Sequence, residues 1–438
     1  MIILTIIMRY FIGILALTMF SFGAFFVLTK DSGFEISGNS GINENLSNGD
    51  LAPQQKLIDK NSDIEPQKPL ANPPKIIKAV YLTGWSAGSN KKIDQIIDLI
   101  KNTELNAVVI DIKDYSGYVA YDIDLPEIKK YGAKKQMIFK INSLIKKLHD
   151  ENIYIIARIT VFQDPILAKA RPDLAIHSKN KCQILDAKCQ MSLSTLWFDR
   201  KGLAWIDPAA KEAQDYNIAI AKDAASRGFD ELNFDYIRFA SDGNLEDMIF
   251  PHWQKTVSKK ETIKSFFKYL REQLPDVKIS ADLFGLVTIQ NDDLGIGQII
   301  EDAYAYFDYV SPMVYPSHYA IGFLNYKNPA QYPYEVVKYS IESALNRLKI
   351  YDLKLKNTTS TNASSTEKNL QSSIFNLQSK LRPWLQDFDL GAKYDATMVK
   401  NQIQAIYDAA SSTPELINGW MLWNPSNIYT RDALKISE

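Results

Sequence analysis

The chain has 438 residues, 46% of them hydrophobic and 23% charged, which is enough apolar material for one large domain or two ordinary ones. Its formal net charge of -1, with both signs interspersed, gives no electrostatic basis for binding nucleic acid. The four histidines (His149, His177, His252 and His318) show no HxH or HxxxH spacing, which argues against a histidine-based zinc site, and no metal or organic cofactor is expected.

From Tyr10 to Thr29 there is no charged residue, with Arg9 before the run and Lys30-Asp31 after it. About 20 helical residues at roughly 1.5 Å each match a bilayer core of about 30 Å. Residues 1–30 are therefore expected to be a signal anchor, or a signal peptide if cleaved, although no clean small-x-small cleavage site follows. The remainder is expected outside the cytoplasm, as a single-pass membrane protein or in secreted form. Residues 31–75, rich in Asn, Ser, Gly and Pro, cannot bury a core and read as a flexible linker ending at Pro73-Pro74.

From there to residue 438, strand and helix patterns alternate. Strand-like runs cover 78–85, 106–114, 153–162, 229–239, 277–285, 307–316, 381–388 and 419–426. Helical spacing appears at 91–102, 136–150, 208–227, 259–273, 297–305, 333–349 and 395–409. Eight strand-helix units predict a (β/α)8 TIM barrel with insertions, occupying 76–438. The stretch 163–207 is an insertion on the face where barrel active sites form, and the polar, low-complexity stretch 354–373 reads as a mobile loop. Cys182 and Cys189 lie close together in a polar loop, and outside the cytoplasm they would close a local disulfide.

The strand "FDELNFDYIRF" carries more polar groups than a buried strand tolerates without a purpose. With a period of two, Asn233 and Asp235 share one face, opposite Leu232, Phe234 and Tyr236. Reading the inward phase at the C-terminal ends of the other strands gives Asp111 and Lys113, Arg158 and Thr160, Ser280 and Asp282, and Ser311 and Tyr315 followed by His318. Gln386 and Asp387, then Trp423 and Asn424, complete the set. Hydrolysis of a glycosidic bond needs one protonated and one ionised carboxyl group. Asp235 and Asp282, on neighbouring strands, are the candidates, with Arg158 expected to hold Asp235 ionised. Asp111 and Lys113 are candidate substrate contacts, and Asp111 has the alternative role of holding a neighbouring lysine. Arg238 falls in the outward phase of its strand and is expected to be structural. Tyr81, Trp85, Tyr315, Trp384, Trp420 and Trp423 lie near strand ends, where aromatic faces stack on sugar rings or simply pack the core.

"FDELNFDYIRFASDG", "ARITVFQDP", "ADLFGLVT", "SPMVYPSHY", "RPWLQDF" and "GWMLWN" together resemble the bacterial glycoside-hydrolase-like family long catalogued as a domain of unknown function, from about Lys78 to Tyr429. The resemblance implies a TIM barrel and carries over Asp235 and Asp282 as catalytic positions. It also implies that His318, Gln386, Asp387 and Asn424 line the cleft. Ala240 departs from the pattern, where proline is expected after "YIRF". Chitinase-type barrels place a catalytic Glu two residues past the Asp235 position, but here that residue is Ile237. The expected function is hydrolysis of a cell-envelope or extracellular polysaccharide by a monomeric enzyme. The rivals are a non-catalytic carbohydrate-binding barrel and a metal-dependent polysaccharide deacetylase.

Overall fold

The computed structural model describes residues 62–185, 191–362 and 380–437. The expected anchor and the linker up to residue 61 lie outside the described residues. Among the described residues no helix is long and apolar enough to cross a membrane.

Eight parallel strands close on themselves. They are β1 (Ile77–Leu82), β2 (Ala107–Lys113), β3 (Tyr154–Thr160), β4 (Glu231–Asp235), β5 (Ile279–Phe284), β6 (Tyr309–Met313), β7 (Trp384–Gln386) and β8 (Gly419–Trp423). Closure is explicit in the register, since Ala79 of β1 pairs with Ala107 of β2 and with Met421 of β8. Seven helices follow the first seven strands: α1 (Asn90–Lys101), α2 (Ile141–Asp150), α3 (Lys211–Ser226), α4 (Lys259–Gln273), α5 (Ile300–Tyr306), α6 (Pro333–Asn362) and α7 (Ala396–Ala409). All eight predicted strands and all seven helices are present.

The alternation of side chains divides the core in two. Inward positions such as Ala79, Val109, Ile156, Trp384 and Met421 fill the barrel. Outward positions, including Val80, Val108, Ile155, Leu232 and Leu422, pack beneath the helices. Both faces of each strand are thus buried, which is why the strands read as near-continuous apolar runs.

Three local features differ from expectation. The ordered chain starts before Pro73-Pro74: Asp63 accepts the backbone N–H groups of Asn142 and Ser143 at 2.6 and 3.0 Å, and Leu70 N–H donates to Asp230 at 2.6 Å. Free N–H groups at the start of α2 give the Asp63 carboxylate a reason to dock there. Helix α6 continues to Asn362, into the stretch 354–373 expected as a loop, and Leu355 packs against the core; residues 363–379 lie outside the described residues. Strand β4 stops at Asp235, because Tyr236 takes a left-handed φ of 54°. In line with expectation, Cys182 is buried and disulfide-bonded; Cys189, its expected partner, lies outside the described residues.

The insertion 163–207 stands over the C-terminal end of the barrel. Its Asp207 accepts N–H groups from Ala209, His252 and Trp253. A short antiparallel pair, His177–Ser178 with Met248–Ile249, joins it to the loop after β4.

Candidate active site

The C-terminal mouth of the barrel is organised around one guanidinium group. Arg158 of β3 is opposite Asp111 of β2 on one side and Asn233 of β4 on the other, with all three inward. Its Nη1 donates to Asp111 Oδ1 at 2.6 Å, its Nη2 to Asp235 Oδ2, and its Nε lies 3.4 Å from Asp282 Oδ2. Three carboxylates from three strands therefore share one cation. Each is almost fully buried, with 3%, 3% and 1% of Asp111, Asp235 and Asp282 exposed.

Neutral donors complete the cluster. Asp282 Oδ1 accepts from Asn233 Nδ2 at 2.8 Å and from the indole N–H of Trp384 at 2.7 Å. Asp111 Oδ2 accepts the Tyr81 hydroxyl at 2.5 Å. Asp235 Oδ1 accepts the N–H of Tyr236 at 2.5 Å, a contact made through the left-handed turn at that residue. A non-glycine residue at positive φ is unfavourable and persists only where its surroundings demand it. Here the turn bends the chain away from the strand immediately after Asp235.

One positive charge cannot neutralise three buried negative ones, so the cluster retains protons. Burial, and then the charge of Asp235, push the Asp282 pKa up to about 7. Burial raises Asp111 to about 6, against the opposing pull of Arg158. Near neutral pH the site thus holds carboxyl and carboxylate forms side by side, as acid-base chemistry requires.

An aromatic wall flanks the cluster. The Tyr81 and Trp423 rings stack at 3.8 Å, and Trp384 meets Trp423 edge-on at 5.7 Å. The Arg158 guanidinium lies 5.0 Å from the Trp423 ring centroid. Burial, and then the charges of Asp282 and Asp235, raise the Tyr315 pKa well above the usual phenol value. Its ring contacts the half-buried His318, whose pKa burial lowers, and Phe388.

Other expected site residues lie outside the acidic cluster. The register shifts between Asp111 and Lys113, so Lys113 faces the level of Ile159 instead of the barrel axis. Lys113 is fully buried, paired with Asp164 at 2.9 Å and donating to the Thr160 carbonyl at 2.6 Å. Gln386 clamps the loop after β6: its Oε1 accepts from Ser317 N and Oγ, and its main chain bonds Gln402. Asp387 is spent on Thr430, accepting its N–H and hydroxyl, while Asn424 Nδ2 donates to the Asp387 carbonyl. Gln386, Asp387 and Asn424 hold rim loops in place. The Tyr81 and Trp384 donors went unrecognised in the sequence, where both residues read only as aromatic faces. Among the described residues, no group of three His, Cys, Asp or Glu side chains is arranged to hold a metal ion.

Residues 79–429 match the family described as "Putative glycosyl hydrolase domain". No curated protein matches the chain. Among solved structures, a hypothetical protein from Ruminiclostridium thermocellum ATCC 27405 is 38% identical over 50% of this chain and 98% of its own, with a TM-score of 0.41. The PgaB (BpsB) glycoside hydrolase domain from Bordetella bronchiseptica is 13% identical over 83% of this chain and 100% of its own, with a TM-score of 0.51, a likeness of fold. The glycoside hydrolase domain of PelA from Pseudomonas aeruginosa is 10% identical over 80% of this chain and 96% of its own, with a TM-score of 0.36.

Proposed function

Starting from a chain that belongs to this glycosyl hydrolase domain family, we propose that its barrel cleaves glycosidic bonds of a cell-envelope or extracellular polysaccharide through Asp235 and Asp282. The observation that carries this reading is the shared guanidinium: Arg158 binds Asp235 through Nη2 and approaches Asp282 through Nε. Binding to two nitrogens of one rigid fork draws the two carboxyl groups together, which favours the close spacing of about 5 Å used by retaining enzymes over the roughly 6.5–9.5 Å of inverting ones.

In this mechanism Asp282, protonated near neutrality because of burial and the charge of Asp235, gives its proton to the glycosidic oxygen as the bond from that oxygen to C1 breaks. Asp235 forms the new bond to C1, and Arg158 supports its charge before and after attack. Asp282, now a carboxylate, then takes a proton from water as the water oxygen bonds C1 and releases Asp235. Asp111, held by Tyr81 and Arg158, orients the guanidinium and offers an acceptor to a sugar hydroxyl. The Tyr81–Trp423 stack supplies an apolar surface for a sugar face. The extracytoplasmic location of the substrate rests on the uncharged run Tyr10–Thr29, taken as an export or anchor segment.

The test is a panel of bacterial polysaccharides incubated with the protein, with product sizing and NMR of the first anomer released. Shorter products of retained configuration are expected. Asp235→Asn should lower kcat by about 10³-fold or more while leaving oligosaccharide affinity nearly unchanged. Binding without turnover on every glycan would favour a carbohydrate-binding barrel instead. Activity lost to a chelator and restored by zinc would favour a deacetylase.

A further inference from the structure

Five cationic side chains are buried among the described residues: Lys113, Arg158, Arg238, Lys380 and Arg382. Three of them have carboxylates, Asp164 for Lys113, Glu231 for Arg382, and the acidic cluster for Arg158. Lys380 donates to the Phe307 carbonyl, and burial lowers its pKa to about 8, so it can shed its charge. Arg238 has neither remedy. It is 6% exposed, no described carboxylate forms an ion pair with it, and a guanidinium keeps its proton at any ordinary pH.

Three aromatic rings enclose it. The Arg238 guanidinium lies 4.5 Å from the centroid of Phe284, 4.9 Å from Trp205 and 5.0 Å from Tyr236. Nη1 donates to the Phe239 carbonyl at 3.0 Å and to Ser241 Oγ at 3.1 Å. Nε and Nη2 donate to no described group, and they are not among the buried atoms left without a partner, so they reach solvent. The fork is thus fixed in direction by its cage and offers two adjacent N–H donors to whatever enters.

Its position is the mouth of the barrel. Tyr236 directly follows Asp235, Phe284 is the last residue of β5, and Trp205 belongs to the insertion over that end. The acids whose fields reach Arg238 are Asp235, Asp242 and Asp199. Asp235 already holds Arg158, and Asp199 already accepts from Gln163, Trp205 and the N–H groups of Lys201 and Leu203. The expected outward phase of Arg238 fails because the left-handed Tyr236 resets the direction of the chain.

We infer that Arg238 is a recognition subsite for an anionic group on the glycan, a uronate carboxylate or a phosphate ester, carried by a sugar next to the one cleaved. A planar, caged guanidinium with two free donors matches such an oxyanion bidentately, and the surrounding rings provide stacking faces for the sugar that carries it. This rests on the carbohydrate-active reading of the barrel and adds the charge class of its substrate.

The experiment measures binding, so that it is separable from turnover. The full chain carrying Asp235→Asn is titrated calorimetrically with uronate-containing oligosaccharides, with their carboxyl-reduced neutral counterparts, and with glycerol-phosphate oligomers. An anionic ligand should bind about tenfold or more tightly than its neutral counterpart. Adding Arg238→Gln should close that gap, and Arg238→Lys should retain part of it. A response to uronates assigns a carboxylate, and a response confined to the phosphate oligomers assigns a phosphate. Equal binding of charged and reduced pairs, binding by no anionic ligand, or a preference that survives Arg238→Gln would overturn the inference. If Arg238→Gln fails to fold, the charged-to-neutral ratio in the Arg238-containing protein and its decline with added salt decide the matter. Hydrolysis of neutral glycans without any acidic preference would sink the subsite and leave the hydrolase; the converse result would do the reverse.

Discussion

The indole N–H of Trp384 donates to Asp282 Oδ1 at 2.7 Å, so an aromatic residue of β7 bears on the charge state of an acid two strands away on β5. A donor to a carboxylate favours its ionised form, and this contact holds the Asp282 pKa below where burial and Asp235 alone would push it. Trp384→Phe keeps most of the ring and removes the donor. The alkaline limb of the kcat/KM profile should then move to higher pH, with kcat reduced about tenfold, read from initial rates across pH. A profile that drops in height without moving would mean that the tryptophan only packs.

The raised pKa values also fix how pH acts on activity and stability. Asp282 must carry a proton to donate one, so kcat/KM should fall as pH rises through about 7. Both Asp282 and Asp111 titrate above the ordinary value of 3.8, near 7 and 6. Between those limits the folded state binds more protons than the unfolded state, so their contribution to stability declines as pH rises through that window. Asp282→Asn removes its share, and the slope of Tm against pH between about 5 and 8 should become less negative than in the unmodified protein.

How much of this was legible in the sequence follows from what each feature depends on. Strands buried on both faces leave long apolar runs, and an acid in such a run stands out, so the inward phase of Asp111, Arg158, Asn233, Asp235 and Asp282 could be read from a period of two. That reading failed wherever the backbone leaves the period. The irregularity after Asp111 turned Lys113 away, and the left-handed Tyr236 re-aimed Arg238. Gln386 keeps the expected side of its strand, but Ser317, distant in sequence, donates to its side-chain oxygen, while its amide N–H is taken by the Phe388 carbonyl. Long-range partners of this kind leave no local signature.

Arg158 separates charge from geometry. Arg158→Met leaves three buried carboxylates without a cation and should cost about 3–5 kcal/mol in urea unfolding. Arg158→Lys restores one charge, but an ammonium cannot span three acceptors in a plane. It should recover much of the stability while kcat stays at least about tenfold low, because Asp235 and Asp282 lose their common support. Full activity in the lysine variant would show that only charge matters there.

The other end of the barrel holds a second buried ion pair, and its position predicts the opposite split. Glu231 at the start of β4 pairs with Arg382, just before β7, and both are wholly buried. Tyr154 donates to Glu231 Oε2 at 3.2 Å, Arg382 donates to Asn418 at 3.1 Å, and the Tyr309 ring lies 4.5 Å from the guanidinium. These groups lie at the N-terminal ends of the strands, away from the acidic cluster, where a barrel's polar residues serve stability. Arg382→Met alone leaves the buried Glu231 carboxylate without a counter-ion and should cost about 3–5 kcal/mol, whereas pairing it with Glu231→Leu should recover most of that loss. In both variants kcat per folded molecule should match that of the unmodified protein, provided assays run below the unfolding transition. A tenfold fall in kcat for the double variant would mean that the two ends of the barrel are coupled.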